Sequence, residues 1–363
     1  MKRFSVIGLL TVLLTVVGLV PSCGSETALR DRIVVTALGL HGEAGAYAVS
    51  VQAIDSLKTA SGLSEQSEAA TAVYTASGGS LSAALDAFLE EAGRETCILQ
   101  NRLITVSDAL CRQTSLFDTM DYLIRHADSR SRVPVAVCRG DPAAILDSPS
   151  GNDAIPAYYP VGILQEGAAN GQCVMSTLLD VRRAVSGMAD ITLPIFKVTN
   201  KRPVPDGTLL FREGVAVGEL NVRETKGLSL LMGQAETLLA VIDGVTYAVT
   251  SPHVEIDVTQ NGTQHAYTFI ISGEAEAVET RNGAAPDVTA LTRYLTATVT
   301  DTLRALDAFD CDALGLARLT AVRDRTVTQK TARSQLHTCE KAVFCDIRLR
   351  DQRSGMERLS ANE

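Results

Sequence analysis

Apolar and polar residues change period repeatedly along this chain, and the changes mark out its elements. Ile33 to Leu40 is β-branched and apolar and ends at His41-Gly42, and Ala46 to Ile54 carries alternate polar positions, so the two predict a β-hairpin. Ser56 to Ala70 is short-sided and polar, which predicts a loop, and Ala72 to Ala76 predicts a further strand. Ser77 to Ser80 turns the chain, and Ser80 caps a helix to Ala92 with Leu81, Ala84, Leu85, Phe88 and Leu89 on one face. Leu99 to Val106 reads as a strand, Ser115 to His126 as an amphipathic helix, Val133 to Cys138 as a strand, and Asp141-Pro142 as the start of a short helix.

Residues 147–170 hold Pro149, Pro156 and Pro160 among several Gly and Asn, without a sustained period. Ser176 caps a helix to Ser186, Pro194 to Val198 is extended, and residues 201–208, with Pro203, Pro205 and Gly207 among charged residues, read as a stiff linker. Beyond it, Leu209 to Arg212 and Val215 to Leu220 flank a turn at Glu213-Gly214, and Asn221 with Glu224 forms a capping-box start for a helix to Met232. Asp243-Gly244 and Asn261-Gly262 are two-residue hairpin signals that divide Leu238 to Ile242, Thr246 to Val249, Val254 to Thr259 and His265 to Glu276 into a meander. A helix from Asp287 to Phe309 packs on it, and Val343, Cys345, Ile347 and Leu349 alternate in a last strand. The expectation is an α+β chain of several domains, with largely antiparallel sheets flanked by helices: a leader at 1–22, a mixed region over 23–200, a linker at 201–208, and an α+β domain over 209–355.

The first residues change the picture most. Lys2 and Arg3 precede an apolar run from Phe4 to Val20, and LVPSCG over residues 19–24 is a lipoprotein cleavage site ending on Cys23. Cys23 is therefore the expected lipidation site. Pro21 beside the cut, and Val20 where Leu is commoner, leave an uncleaved anchor or ordinary secretion as alternatives. All three put the body outside the cytoplasm. Loss of Lys2 and Arg3 with the leader takes the net charge from -9 to -11, which disfavours nucleic acid and direct adhesion to anionic lipid. The absence of Trp and an aromatic share of 4% remove the stacking platforms of most sugar sites.

Chemistry is sparse. None of the five His stands in a metalloprotease or nucleophile-elbow pattern. His337, Cys339 and Cys345 lack zinc-knuckle spacing, and the seven cysteines left after Cys23 sit mostly among apolar neighbours, as small core residues do. Ser77 to Ser80 lacks the spacing of a phosphate loop, and Arg102 and Arg130 read as structural ion-pair partners. No cofactor or metal is expected.

The run FREGVAVGELNVRETKGL from Phe211 to Leu228 resembles the hallmark of the Ger(x)C family, the lipoprotein C subunits of nutrient germinant receptors of bacterial spores. DRIVVTALGL from Asp31, NRLITV from Asn101, DSRSRVPVAV from Asp128 and CDALGL from Cys311 extend the resemblance. The Trp-Asp that often follows the lipidated Cys is absent, and Glu219 stands where an aromatic residue is common. The resemblance implies a mixed α/β fold, a non-enzymatic role in receptor assembly and the germination response, polytopic A and B membrane subunits as partners, and lipid anchoring to the outer face of the spore inner membrane. It singles out Gly214, Gly218, Arg223, Glu224, Thr225, Lys226 and Gly227 as signature residues and candidates for partner contact. Two other readings come from the residues themselves: an extracytoplasmic lipoprotein that captures a small solute, and a surface hydrolase. A deep cleft between doubly wound lobes would mark the solute binder, whereas the hairpins and small α/β units here point away from it.

Overall fold

The computed structural model describes residues 32–54, 71–93, 95–125, 130–148, 155–261, 264–281 and 283–350. The leader with Cys23, the loop expected over Ser56 to Ala70, His126 and the Gly262 turn lie outside the described residues. In chain order the first half holds β1 (Arg32–Glu43), β2 (Ala46–Ile54), β3 (Thr71–Gly78), α1 (Leu81–Ala92), β4 (Glu95–Cys97), β5 (Leu103–Ser107), α2 (Asp108–Gln113), α3 (Leu116–Arg125) and β6 (Pro134–Cys138). It continues through α4 (Ala143–Leu146), α5 (Tyr158–Ala169), β7 (Ser176–Thr177), α6 (Leu178–Val185), β8 (Ile191–Thr199), β9 (Arg202–Arg212) and β10 (Val215–Leu220). The second half holds α7 (Val222–Leu231), β11 (Thr237–Ile242), β12 (Val245–Asn261), β13 (Gln264–Thr280), α8 (Val288–Ala308), α9 (Leu316–Arg323), α10 (Gln329–Gln335) and β14 (Glu340–Leu349).

The first sheet runs β10-β9-β8-β6-β5-β1-β2-β3, with β4 beside β1 and β7 beside β6. Its centre, β8-β6-β5-β1, is parallel, and antiparallel hairpins flank it on both sides. Every residue of β5 and β6 is buried, as expected for parallel strands covered on both faces. Phe88 of α1, Met120 of α3 and Val181 of α6 cover one face, while Ile145 of α4 and Leu164 of α5 cover the other. The second sheet runs β11-β12-β13-β14, with only β13 and β14 parallel, and α8 packs Leu291, Leu295, Val299 and Leu303 on it. The fold is thus mixed α and β, with sheets flanked by helices.

Several expected elements move. Residues 202–208 are strand, not a solvated linker: Asn200 and Lys201, both at positive φ, form a two-residue turn, and β9 pairs back onto β8. Pro203 and Pro205 are tolerated because β10 pairs only with Thr208 to Arg212, so their half of β9 is an edge that needs no outward N–H. Residues 158–169, without a visible period, form α5; Pro160 lies in its first turn, where a missing N–H costs little. Thr177, rather than Ser176, opens α6, closing a capping box with Asp180. The two strands expected over Thr246 to Val249 and Val254 to Thr259 are one strand with a bulge at Ser251-Pro252, where Ser251 is at positive φ. The segment Ile98–Gln100 is a 3-10 turn, so β5 begins only at Leu103.

One buried polar knot ties the first sheet to its helices. Gln52, fully buried on β2, accepts hydrogen bonds from the Thr36 hydroxyl (2.7 Å) and the Ala157 N–H (3.1 Å), and its amide donates to the Leu146 carbonyl. Gln52→Leu leaves the Ala157 N–H and the Leu146 carbonyl without this partner, while the Thr36 hydroxyl keeps the Gln52 backbone carbonyl (3.2 Å). An urea titration is expected to show a loss of about 3 kcal/mol, with an unchanged dependence on urea concentration.

Candidate functional site

The hairpin β9–β10 and helix α7 contain all seven signature residues. Asn221 accepts from the N–H groups of Arg223 (2.9 Å) and Glu224 (3.0 Å), and the Glu224 carboxylate accepts from the Asn221 N–H (2.9 Å), which completes the capping box expected there. Thr225 is fully buried, its hydroxyl 3.0 Å from that of Thr208 on β9. Lys226 reaches the other way and donates to the Leu239 carbonyl on β11 (2.8 Å). Arg223 lies along α8, 3.5 Å from Asp301 and 5.8 Å from the Tyr294 ring. Arg223, Glu224 and Lys226 thus all make contacts within the chain. Val222 is 52% exposed.

The glycines serve close approach. A Cβ on Gly227 would lie 2.9 Å from the Thr298 carbonyl and collide with the Thr302 hydroxyl, so α7 and α8 meet backbone to backbone here. The Thr302 hydroxyl sits 2.9 Å from the carbonyls of both Glu224 and Thr298. Gly218 faces the Phe309 ring at the end of α8 with no room for a side chain. Gly214, at φ 83°, turns the hairpin, and its carbonyl accepts from the Leu116 N–H (2.8 Å), the first residue of α3.

Nearly every residue from Thr225 to Leu231 is buried, because α7 lies between the two sheets. Leu228 packs with Leu210, Leu220, Leu306 and Cys311, whereas Leu230 and Leu231 belong to the core of the second sheet. Just beyond, the Gln234 amide bonds both the N–H and the carbonyl of Met175, and the Glu236 N–H donates to the Ala169 carbonyl (2.7 Å).

Two ion-pair clusters flank this joint. Glu219, at the position where an aromatic residue is common, is held by Arg112 (2.8 Å) and Arg139 (3.2 Å), and Arg139 also meets Asp206 (2.6 Å), which Lys197 shares (2.6 Å). Partial burial works against the Asp206 charge, but hydrogen bonds from Lys197 and Arg139 prevail and hold its carboxyl below the usual range. In the second cluster Arg333 of α10 joins Asp190 (2.8 Å) and Asp310 (3.0 Å), and Arg212 of β9 reaches Asp310 (2.8 Å). Asp312 accepts from the Leu316 and Ala317 N–H groups at the start of α9, and burial raises its pKa. Asp190 and Arg333 stand 143 residues apart, which no local sequence pattern reveals.

Among the described residues Arg102 and Arg130 meet no acid: Arg102 lies 5.6 Å from the Tyr158 ring, and Arg130 donates to Gln100 (3.2 Å). The seven described cysteines are unbridged, and five of them are buried. Burial pushes the thiols of Cys111, Cys138 and Cys173 up to about 12, so they stay protonated. Among the described residues no three His, Cys, Asp or Glu side chains cluster as metal ligands.

Residues 25–198 match the family model described as Spore germination protein N-terminal domain. A solved structure, the crystal structure of the GerBC protein, shares the fold with a TM-score of 0.56 at 12% identity, over 87% of this chain and 98% of that one. Both findings support the resemblance of this chain to the Ger(x)C family. No curated protein matches it.

The Ger(x)C signature segments now have structural roles. From Arg32 the first of these segments lies in β1, and NRLITV leads into β5, where buried Asn101 accepts from the Leu103 N–H (3.2 Å); both are central strands of the first sheet. CDALGL places Cys311 in the joint, Asp312 at the start of α9, and Gly315 at φ 66°. The hallmark run from Phe211 to Leu228 holds the two sheets together. Gly227→Ala is therefore expected to cost about 1–3 kcal/mol by overpacking, although Ala is the better helix former. Adding Thr302→Ala should recover part of that loss. Glu224→Gln keeps the capping geometry and should cost less than about 1 kcal/mol in the same denaturation assay.

Proposed function

We propose that this chain is the lipid-anchored, non-enzymatic C subunit of a spore nutrient germinant receptor, held on the outer face of the spore inner membrane and assembled with polytopic A and B subunits. The observation that carries the reading is the match of residues 25–198 to the spore germination domain, within a chain that has the GerBC fold over most of its length. The lipoprotein cleavage site at residues 19–24 supports the anchoring, since no helix among the described residues is long and apolar enough to cross a membrane. A diacylglyceryl group and an added acyl chain on Cys23 would supply two lipid anchors, enough for stable retention at roughly 0.8 kcal/mol per buried methylene. The protonated, buried thiols support a structural role for the cysteines.

The signature residues enter this function indirectly. Arg223, Glu224, Thr225, Lys226 and Gly227 are engaged within the chain, and Gly214 and Gly218 pack against Phe117 and Phe309. They support a receptor by fixing how the two sheets present their surfaces to A and B, rather than by touching those subunits.

Two outcomes test the reading. Labelled palmitate should enter the wild-type protein and not Cys23→Ala, and the variant should leave the membrane fraction. Equal labelling of both, or a mature protein that retains residues 1–22 by mass spectrometry, contradicts the anchor. Wild-type protein isolated from spore membranes should bring down polytopic subunits encoded beside it, and their absence contradicts receptor membership.

A further inference from the structure

Beside the joint lies a cleft of about 680 Å³, between α6, the start of β8, the segment after α7 and α9. Met175, Met188, Met232, Leu314 and Leu319 form its walls. Three methionines in the lining give a deformable, polarisable apolar surface suited to ligands of varied shape. In the floor stands Thr192, only 2% exposed, whose hydroxyl has no hydrogen-bond partner. A buried hydroxyl left unpaired costs free energy unless a ligand or water satisfies it.

The other polar groups are already committed. Ser176 donates to the Thr192 carbonyl (2.5 Å), and Gln234 is spent on the Met175 backbone. Asp180 is held by Thr177 and Arg183, and Asp190 by Arg333 and the Asp312 N–H. Arg318, on the exposed side of α9, lines the cleft and makes no ion pair among the described residues. The cleft therefore offers an apolar wall, one unsatisfied hydroxyl at depth and one spare cation.

We propose that this cleft binds a small amphiphilic monoanion: an apolar body against the methionine wall, a hydrogen-bonding oxygen at its buried end for Thr192, and a carboxylate for Arg318. A small molecule is favoured over a docked protein segment because the volume lies within the range of small-ligand sites and the polar group to be satisfied is buried. The position at the junction of two cores is also where such sites concentrate. The inference does not depend on receptor membership.

The test is calorimetric titration of the full-length chain in lipid nanodiscs with straight-chain carboxylates from butanoate to octanoate and their ω-hydroxy counterparts, with empty discs subtracted. One-site binding is expected, tighter for the hydroxylated member at matched length. Arg318→Gln, on an exposed position that leaves folding intact, should weaken both kinds of probe about tenfold. Thr192→Val should abolish the preference for the hydroxylated probe while leaving the plain carboxylate unchanged. Arg304→Gln, which lies away from the cleft, should behave as wild type. Equal affinities in wild type and Arg318→Gln would overturn the proposal. So would the lack of saturable binding by any probe up to about 10 mM.

Discussion

The contact on which this molecule depends is the crossing of α7 and α8 at Gly227. Two helix backbones approach there without a side chain between them, and the Thr302 hydroxyl lies against the carbonyls of Glu224 and Thr298. From that crossing Thr225 reaches the first sheet through Thr208, and Lys226 reaches the second through Leu239. Leu228 and Leu230, two residues apart, enter different cores. A larger residue at 227 would push α7 off α8 and strain both connections together, because packed interiors accommodate extra volume poorly.

The same logic explains why the hallmark segment is rich in glycine and charge yet forms no ligand site of its own. The charges of Glu224, Lys226 and Arg223 meet a cap, a carbonyl and an ion pair, and its glycines are places where Phe117, Phe309 and Thr302 come too close for a Cβ. Glu219 extends the pattern. Where an aromatic residue would add packing, a carboxylate bridges Arg112 after β5 and Arg139 after β6, and so ties the hairpin to the ends of the parallel strands. Asp190, Arg333 and Asp310 perform the corresponding task on the other side of the joint.

Much of this was legible in the sequence because it is local. Ser80 before α1, Asn221 with Glu224 before α7, Asp243-Gly244 between β11 and β12, and Asp287 before α8 each encode their own element within a few residues. What was misread depends on partners far along the chain. Pro203 and Pro205 signal a linker unless one knows that β10 stops short of them, and Gly162 and Gly167 blur α5, where Gly167 leaves space for Cys173. Nothing local shows that β11 and α8 arrive to meet Lys226 and Arg223. The cleft escaped notice for the same reason, since Thr192 and Arg318 belong to elements 126 residues apart in number.

If α7 is the element that joins the two cores, its amides open only when the whole molecule unfolds. Native-state hydrogen exchange under increasing denaturant measures this directly. The account predicts that the amides of Thr225 to Leu231 exchange with the same free energy and denaturant dependence as those of β6 and β13. Exchange of α7 through a cheaper local opening, with both sheets still protected, would contradict it.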